Sequence, residues 1–222
     1  MDIALLGGTG DIGQGLALRW AADTDYGVIV GSREADRARA MADEYETELS
    51  SLGIDATVES DANPDAAARA DVVICSVPAY HLSDTIESVA DRLADDAILV
   101  SPAVGMKRDD AGVHYNPPGA GSVTALAAEA APDDVPVVGA FHNLAAGKLA
   151  NLDADLDWDT PVVADDEDAK GIVMDLAAGI EGLRPLDAGS IANAGEIESM
   201  TPLLINLAAN NEHLHDLGVK FH

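Results

Sequence analysis

Short apolar runs alternate with longer amphipathic stretches along the first 140 residues of the chain. The apolar runs predict strands at 3–6, 27–30, 55–58, 72–76, 97–101 and 136–140. Apolar residues at helical spacing, with acidic residues in several first turns, predict helices at 11–22, 34–49, 64–69, 81–93 and 123–131. Strands that alternate with helices are typical of βαβ units. We therefore expect an α/β fold with a doubly wound, mostly parallel sheet of the Rossmann type.

A shorter α/β pattern follows, with strands predicted at 161–164 and 183–186 around a helix at 167–180. A last helix is predicted at 194–211, and Thr201-Pro202 interrupts its first turns. Its apolar face is expected to pack on the core and carries Met200, Leu203, Leu204, Leu207 and Ala208. We divide the chain into a main domain, residues 1–150, and a small C-terminal α/β segment, residues 151–222, packed against it. The Pro- and Gly-rich stretch 116–121 predicts a long loop.

The first predicted strand runs into a glycine-rich turn that precedes the first predicted helix. The turn has the pattern G-x-G-x-x-G and consists of Gly8, Thr9, Gly10, Asp11, Ile12 and Gly13. The first glycine permits the tight turn, the second lets the backbone approach a pyrophosphate, and the third lets the helix pack on the strand. Because phosphate oxygens would meet free N–H groups at the positive end of the helix, we predict a dinucleotide site here.

The end of the second predicted strand distinguishes NADP from NAD. A site for NAD places an acidic residue there to bind the ribose hydroxyls. This chain has Ser32 and Arg33, and Arg37 follows one helical turn later. A hydroxyl and two guanidinium groups suit a 2′-phosphate, so we predict NADP as the cofactor. The alternative is that the two arginines pair with surface acids such as Glu34.

Three further strand ends carry candidate residues. Val77 and Pro78 follow the fourth predicted strand and Val104 follows the fifth, where a nicotinamide pocket is expected, although prolines that merely end strands would have the same pattern. His142 follows the sixth strand. It is a candidate catalytic residue, either a general acid or a donor that orients the ligand, and the alternative is a capped surface residue.

The charge balance excludes one class of function. The chain has 40 acidic and 12 basic residues and a formal net charge of −28, with the acids scattered over helices and loops. No nucleic-acid binding is expected, because that function needs a basic surface. Self-repulsion on this scale is screened at molar salt, where the Debye length is ~3 Å, so the pattern favours a salt-rich cytoplasm.

Other sequence features narrow the possibilities. No apolar run approaches the ~20 residues of a membrane span, and the first residues lack a signal-peptide pattern, so neither a membrane nor export is expected. The one cysteine, Cys75, is expected to be a buried strand residue. No metal site is predicted, since His213 and His215 are two positions apart and do not share a helix face.

Five stretches, at 4–10, 13–19, 30–33, 182–189 and 217–221, carry a resemblance to a known family. The glycine-rich turn and Gly31-Ser32-Arg33 are shared with many NADP proteins. Gly-Leu-Arg-Pro-Leu-Asp-Ala-Gly at 182–189 and Leu-Gly-Val-Lys-Phe at 217–221 are much more particular. With this combination, the chain resembles the NADP oxidoreductases that depend on coenzyme F420, a deazaflavin.

The resemblance implies reversible hydride exchange between reduced coenzyme F420 and NADP, without a metal and without covalent catalysis. It implies that residues 1–150 bind NADP and that residues 151–222 complete the deazaflavin cleft. The residues that match the family's NADP contacts are Thr9, Gly10, Asp11, Ile12, Ser32, Arg33, Arg37 and Ala146. Those that match its deazaflavin contacts are His142, Leu144 and Leu217.

Two other functions remain open from the sequence. An NADP-dependent reductase of an imine or a carbonyl would need a proton donor such as His142. A regulator that senses NADP without catalysis would keep the glycine-rich turn and Arg33 and would need no second pocket. A homodimer through the apolar C-terminal helix is a further expectation.

Overall fold

The computed structural model describes all 222 residues, as ten strands and nine helices. In the first half, the strands are β1 (Asp2–Leu6), β2 (Gly27–Ser32), β3 (Val58–Ala62), β4 (Val72–Cys75) and β5 (Ile98–Ser101), and the helices are α1 (Asp11–Asp23), α2 (Ala35–Ser51), α3 (Asn63–Ala67) and α4 (Leu82–Val89). The second half adds the strands β6 (Met106–Asp109), β7 (Gly112–Tyr115), β8 (Val137–Gly139), β9 (Trp158–Ala164) and β10 (Leu183–Asp187). Its helices are α5 (Val123–Ala130), α6 (Ala146–Ala150), α7 (Glu167–Ala178), α8 (Ala194–Glu198) and α9 (Met200–Ala209).

Eight strands form one sheet in the order β10-β9-β8-β5-β4-β1-β2-β3, and β6 and β7 form a separate antiparallel hairpin. Every pairing in the large sheet is parallel except that of β8 with β9. The predicted doubly wound, mostly parallel sheet is thereby confirmed. The chain reverses direction across the sheet at β1, which lies between β2 and β4. Ligands of open α/β sheets bind in the crevice at such a reversal.

Alternating residues of the central strands bury their side chains on opposite faces of the sheet. Ile3 and Leu5 join a cluster of 32 buried residues that also draws on α1, α2 and α7. Ala4 and Leu6 join a second cluster, of 16 residues, with α3, α4 and α5. Because both faces are covered, the strands are continuously apolar, as expected for a parallel sheet between two helix layers. No helix is both long enough and apolar enough to cross a bilayer.

Two strands, β3 and β9, differ from their predicted bounds by three residues or more, because pairing with a neighbouring backbone defines where they begin. β3 begins at Val58, where the predicted strand ends, and pairs with β2 as an edge strand in which only Val58 is buried. β9 begins at Trp158, three residues before the predicted start at Pro161. A proline is tolerated there because β8 pairs only with Val163 and Ala164, so no β8 carbonyl needs an N–H at Pro161.

The C-terminal helix differs most from its prediction. It is divided at Ser199 into α8 and α9, and its apolar face is not packed on the core. Leu203 and Leu207 are 57% and 41% exposed. The helix is instead attached to the unpredicted β6–β7 hairpin, because the carboxamide of Asn206 accepts from the N–H of Val113 and donates to its carbonyl, at 2.9 and 2.7 Å.

A short helix that the sequence pattern missed, α6, is fixed to α1. At Gly15, an added Cβ would lie 2.8 Å from the Leu149 side chain, so only glycine permits the close approach of the two helices. The buried guanidinium of Arg19 then donates to the carbonyls of Leu149, Asn151 and Ala154 at 2.7–3.0 Å. Leu149 belongs to the last turn of α6, and Asn151 and Ala154 belong to the turn that follows, so Arg19 caps the helix and holds the chain that leaves it.

Most of the acidic side chains have no cationic partner. Nine of the 40 carboxylates lie within 4 Å of a lysine, arginine or histidine nitrogen. The rest repel one another through solvent, and only screening by salt reduces that repulsion. The folded state is therefore under electrostatic stress at low ionic strength.

We predict that the melting temperature rises steeply between 0.1 and 2 M potassium chloride. Each kcal/mol of repulsion removed raises the melting temperature of a chain of this size by about 2–4 °C. Thermal unfolding followed by circular dichroism measures the rise. Sucrose, an excluded non-electrolyte, is the control, and an equal rise in sucrose or a flat salt curve would contradict the prediction.

Candidate functional site

The glycine-rich turn lies between β1 and α1 and is shaped by close backbone contacts. Gly7 has a left-handed backbone at φ +73°, and a Cβ on Gly8 would lie 2.8 Å from the carbonyl oxygen of Leu5, so the tight turn requires glycine at Gly8, as predicted, and at Gly7. A Cβ on Gly7 would lie 2.6 Å from Val77 Cγ1. A Cβ on Gly13 would lie 2.7 Å from the Cα of Gly8, so Gly13 lets α1 pack against the turn, as predicted for the third glycine. The buried hydroxyl of Tyr45 donates to the carbonyl of Gly8 at 2.8 Å and ties the turn to α2.

The N-terminus of α1 is an unoccupied set of hydrogen-bond donors. The N–H groups of Thr9, Asp11, Ile12 and Gly13 donate no hydrogen bond within the protein, and Gly10 provides no side-chain cap. A Cβ on Gly10 would meet no atom closer than 3.5 Å, so the fold itself does not require glycine there. Free N–H groups at the positive end of a 13-residue helix suit a pyrophosphate, and the missing side chain leaves it room.

A cavity of about 510 Å³ opens in front of this helix end, at the reversal between β1 and β4. It is lined by seven predicted residues, Thr9, Gly10, Ser32, Arg33, Arg37, Val77 and Pro78. Gly8, Asp11, Ile12 and Gly13 form the turn and helix start beside it and do not line it. Val104 follows β5 as predicted but lines neither this cavity nor the one described below.

The two arginines of the cavity are free of carboxylate partners. Arg33 and Arg37 are exposed and make no ion pair within 4 Å. In contrast, Arg39, which lies on α2 with Arg37, pairs with Asp36 at 3.5 Å. The alternative in which Arg33 pairs with Glu34 is therefore wrong. Two uncompensated guanidinium groups beside the buried Ser32 are suited to a dianionic phosphate.

The cavity also contains residues that the sequence analysis missed. Asn63 begins α3, is 6% exposed, and its Oδ1 has no hydrogen-bond donor in the protein. A buried polar atom without a partner points to a ligand, since such atoms are rarely left unsatisfied. The prediction missed Asn63 because it ended β3 at residue 58, which placed Asn63 far from the rim. His81 lies in the 3₁₀ turn at Ala79–His81 and carries no motif.

A second cavity, of about 300 Å³, lies between α6, α9 and the end of the chain. It brings together three predicted residues, Leu144, Ala146 and Leu217. The apolar side chains that α9 turns inward, Leu204, Ile205 and Ala208, complete most of its lining, and Asn143, Thr201 and Asp216 are its polar residues. A narrow, mainly apolar cavity of this kind suits a flat aromatic ring.

His142 is buried beneath this second cavity and does not line it. Phe141, in the left-handed region at φ +67°, turns the chain at the end of β8 and directs it toward the cavity. The carbonyl of His142 accepts from the hydroxyl of Thr201 at 2.7 Å. His142 is thus attached to a residue of the cavity wall through its backbone.

The imidazole of His142 belongs to a buried polar chain. The fully buried carboxylate of Glu198 accepts from the N–H groups of Val123 and Thr124 at 2.9 Å and from the Thr124 hydroxyl at 3.0 Å. Since that hydroxyl gives its proton to Glu198, it accepts from Nε2–H of His142 at 3.3 Å, and Nδ1 is left as an acceptor without a donor. Burial lowers the pKa of His142 to about 4, so the ring is neutral at pH 7.

No three histidine, cysteine, aspartate or glutamate side chains come together as a possible metal site. Cys75 is buried in β4, as expected, and burial raises the pKa of its thiol to about 12. The raised pKa keeps the thiol protonated at pH 7, so Cys75 is not an activated nucleophile.

The comparisons with known proteins agree with this geometry. Residues 2–105 match the family model of the coenzyme F420-dependent NADP oxidoreductases. An F420-dependent NADP reductase of Methanothermobacter thermautotrophicus is 38% identical over 99% of this chain and 94% of that protein. One of Methanocaldococcus jannaschii is 37% identical over 93% of this chain and 92% of that protein. The chain belongs to the F420-dependent NADP reductase family.

Solved structures place the whole chain in the fold of this family. A candidate F420-dependent NADP reductase from Arthrobacter sp. FB24 superposes with a TM-score of 0.80 at 23% identity and covers 100% of this chain and 99% of that one. A pyrroline-5-carboxylate reductase from Coxiella burnetii gives a TM-score of 0.60 at 18% identity, over 96% of this chain and 72% of that one. At these identities, the likeness extends to the fold alone.

We predict that His142 makes stability depend on pH in one direction. Its folded-state pKa of about 4 lies below the ordinary value of 6.5, so between these values the unfolded chain binds a proton that the folded chain does not. This contribution to stability is complete above pH 6.5 and is lost as the pH falls toward 4. His142→Gln should reduce the slope of unfolding free energy against pH in this window by up to ~1.4 kcal/mol per pH unit.

Urea unfolding at several pH values in constant molar potassium chloride measures the slope. His213→Gln removes an exposed histidine and is the matched control. Because the comparison is of slopes, a constant loss of stability from the altered packing does not affect it. Parallel curves for the wild type and His142→Gln would show that His142 is not the group involved.

Proposed function

We infer that this protein transfers a hydride reversibly between reduced coenzyme F420 and NADP. The observation that carries the inference is the near full-length similarity to reductases of that name. The two cavities support it, because one offers phosphate donors and free arginines and the other is mainly apolar. Both coenzymes are substrates, and oxidation of the reduced deazaflavin by NADP releases one proton to water.

NADP fits the cavity at β1 and β4. The pyrophosphate would be held by the free N–H groups at the start of α1, and the 2′-phosphate by Ser32, Arg33 and Arg37. The unpartnered carbonyl oxygen of Asn63 would accept a hydrogen bond from the adenosine half. Val77 and Pro78 would wall the nicotinamide, together with Val104 if the loop after β5 lies along the bound cofactor.

The deazaflavin fits the second cavity, against Leu144 and Leu217. Ala146 lies on its wall and matches an NADP contact of the family, so it would stand where the two coenzymes meet. In this arrangement, residues 1–150 supply the NADP site and residues 151–222 supply α9 and the chain end that complete the cleft. Placing the two reactive carbons in contact then provides most of the rate enhancement.

His142 acts in this proposal as a positioning residue. Its neutral, buried ring is a poor proton donor at pH 7, and its backbone holds Thr201 in the cavity wall. A direct hydride transfer needs no proton donor at the receiving carbon, so a neutral, buried imidazole suits the reaction. Reduction of an imine or carbonyl needs such a donor, and the lowered pKa argues against His142 in that role.

Two features of the proposal concern the assembly and its surroundings. A homodimer through α9 would cover Leu203 and Leu207, which are exposed in the monomer. A salt-rich cytoplasm would supply the screening that the acidic surface needs.

We predict that Arg33→Ala lowers kcat/KM for NADP at least tenfold and leaves the activity with NAD nearly unchanged. A hydrogen bond to a charged group contributes roughly 1.5–3 kcal/mol, and this one exists only with the 2′-phosphate. Steady-state rates with both nucleotides measure the effect. Arg39→Ala is the matched control, since Arg39 is an exposed arginine of the adjoining helix α2 and lies outside the cavity. Equal losses with NAD and NADP would refute the phosphate role.

We predict that deuterium on the transferable ring carbon of reduced coenzyme F420 reaches NADPH undiluted and on one face of the nicotinamide. The hydrogen is bound to carbon and exchanges slowly with water, so direct transfer preserves the label. Nuclear magnetic resonance of the NADPH measures it, and unlabelled substrate in heavy water is the control. Solvent hydrogen at the transferred position would exclude direct transfer. No reaction with the deazaflavin would favour an imine or carbonyl reductase, or a regulator.

A further inference from the structure

The end of the chain reaches the second cavity without forming a helix or a strand. Because the proposed function places the deazaflavin there, we call it the deazaflavin cavity. Backbone groups of residues 215–222 nevertheless take part in three hydrogen bonds with the rest of the protein. Asp159 N–H donates to the carbonyl of Val219 at 2.7 Å, Phe221 N–H donates to Asp159 Oδ2 at 2.6 Å, and Arg184 Nη2 donates to the carbonyl of Phe221 at 2.6 Å. Each bond involves Asp159 or Arg184, so these two residues anchor the end of the chain.

The anchor is an ion pair between a buried carboxylate and a half-exposed guanidinium. The carboxylate of Asp159 is fully buried and accepts two hydrogen bonds from Arg184, one to each oxygen, both at 2.7 Å. Lys220 Nζ lies 3.6 Å from Asp159 Oδ1 and 2.8 Å from Asp157 Oδ1. The hydrogen bonds from Arg184 lower the pKa of Asp159 to about 2, so the pair stays charged through the physiological range. A buried carboxylate that loses one such partner is strongly disfavoured.

Two close contacts hold the backbone on either side of Leu217. A Cβ on Gly218 would lie 1.7 Å from Trp158 Nε1, so the chain passes directly against the indole and only glycine fits. A Cβ on Gly147 would lie 2.9 Å from Asp216 Oδ1, so Asp216 rests on α6. Lys148 Nζ, 5.1 Å from the Trp158 ring centroid, braces the same indole. Leu217 is thereby fixed between α6 and β9.

We propose that Asp159 and Arg184 form a latch that holds the C-terminal segment against Trp158 and so positions Leu217 in the deazaflavin cavity. The deazaflavin part of this proposal rests on the proposed function. The latch explains two sequence motifs that NADP binding does not use. Arg184 belongs to the motif at 182–189, and Gly218 and Phe221 belong to the motif at 217–221.

Arg184→Met tests the latch with two readouts. Hydrogen exchange of the terminal peptide spanning 215–222, which contains the Phe221 N–H bonded to Asp159, should become fast when followed by mass spectrometry. The KM for reduced coenzyme F420 should rise about tenfold or more, as expected for loss of hydrogen bonds to a charged group, while the KM for NADP stays within about twofold. Arg184→Lys, which keeps the charge, should restore part of the deazaflavin affinity.

Lys170→Met is the matched control. Lys170 is likewise a cation paired with carboxylates, and it ties Asp187, on the same strand as Arg184, to Glu167 of α7, at 3.1 and 2.8 Å. It does not touch the chain end, so this variant should lower the melting temperature without changing either KM or the exchange of the terminal peptide. Because Arg184→Met leaves the buried carboxylate without its bidentate partner, a second variant deletes residues 219–222 and keeps the Asp159–Arg184 pair. It should show the same split between the two KM values.

Each outcome decides a different part of the proposal. Fast exchange with an unchanged KM for the deazaflavin, or an equal rise in both KM values, overturns the positioning role. Continued protection of the terminal peptide in Arg184→Met overturns the latch itself. A wild-type protein that transfers no hydride to or from the deazaflavin overturns the proposed function instead, and hydrogen exchange still decides whether Asp159 and Arg184 hold the chain end.

Discussion

The close docking of α1 is the constraint on which both cavities depend. Gly13 brings the start of the helix onto the glycine-rich turn, and Gly15 brings its middle onto α6. Arg19 then caps α6 from the side of α1. One helix therefore presents free N–H groups to one cavity and positions a wall of the other. A larger side chain at either glycine would move α1 away from the turn or from α6, so the relation between the two sites is set by backbone proximity.

Positive charge is scarce in this chain and is concentrated where it has a structural or binding role. Of the 12 basic residues, Arg19 caps a helix, Arg184 and Lys220 contact the chain end or the carboxylate that binds it, and Arg33 and Arg37 remain unpaired in the cavity at β1 and β4. An acidic surface also repels anionic coenzymes at low salt. The unpaired arginines make the electrostatic potential locally positive. Their effect is greatest when salt weakens the repulsion from distant carboxylates more than it weakens the attraction between an arginine and a phosphate in contact with it.

The sequence pattern predicted seven of the fourteen residues that line the first cavity, because a strand, a glycine turn and a helix are local features. Ser32, Arg33 and Arg37 could be placed once β2 was placed. Asn63 could not, since it depends on the register of β3, an edge strand held by backbone bonds to β2 and by few apolar side chains. The β6–β7 hairpin was missed for a similar reason, because all four residues of β6 are exposed. The role of the C-terminal motifs was equally hidden, as the partner of Arg184 lies 25 residues away along the chain.

A reaction that passes a hydride directly between two bound coenzymes asks the protein for position more than for reactive groups, and the polar groups near the second cavity fit that demand. Glu198, Thr124 and His142 form a buried chain whose protons are already committed to one another. Beside them, Phe141 keeps a left-handed backbone. The hydrogen bond from its N–H to the hydroxyl of Thr160 helps to hold the turn after β8 in this conformation. Such a network is unsuited to donate or accept a proton in each turnover, but it resists displacement. The same holds for Asp159 and Arg184. In the proposed arrangement, the charged and polar groups around the second cavity act by fixing the apolar side chains that would contact the deazaflavin.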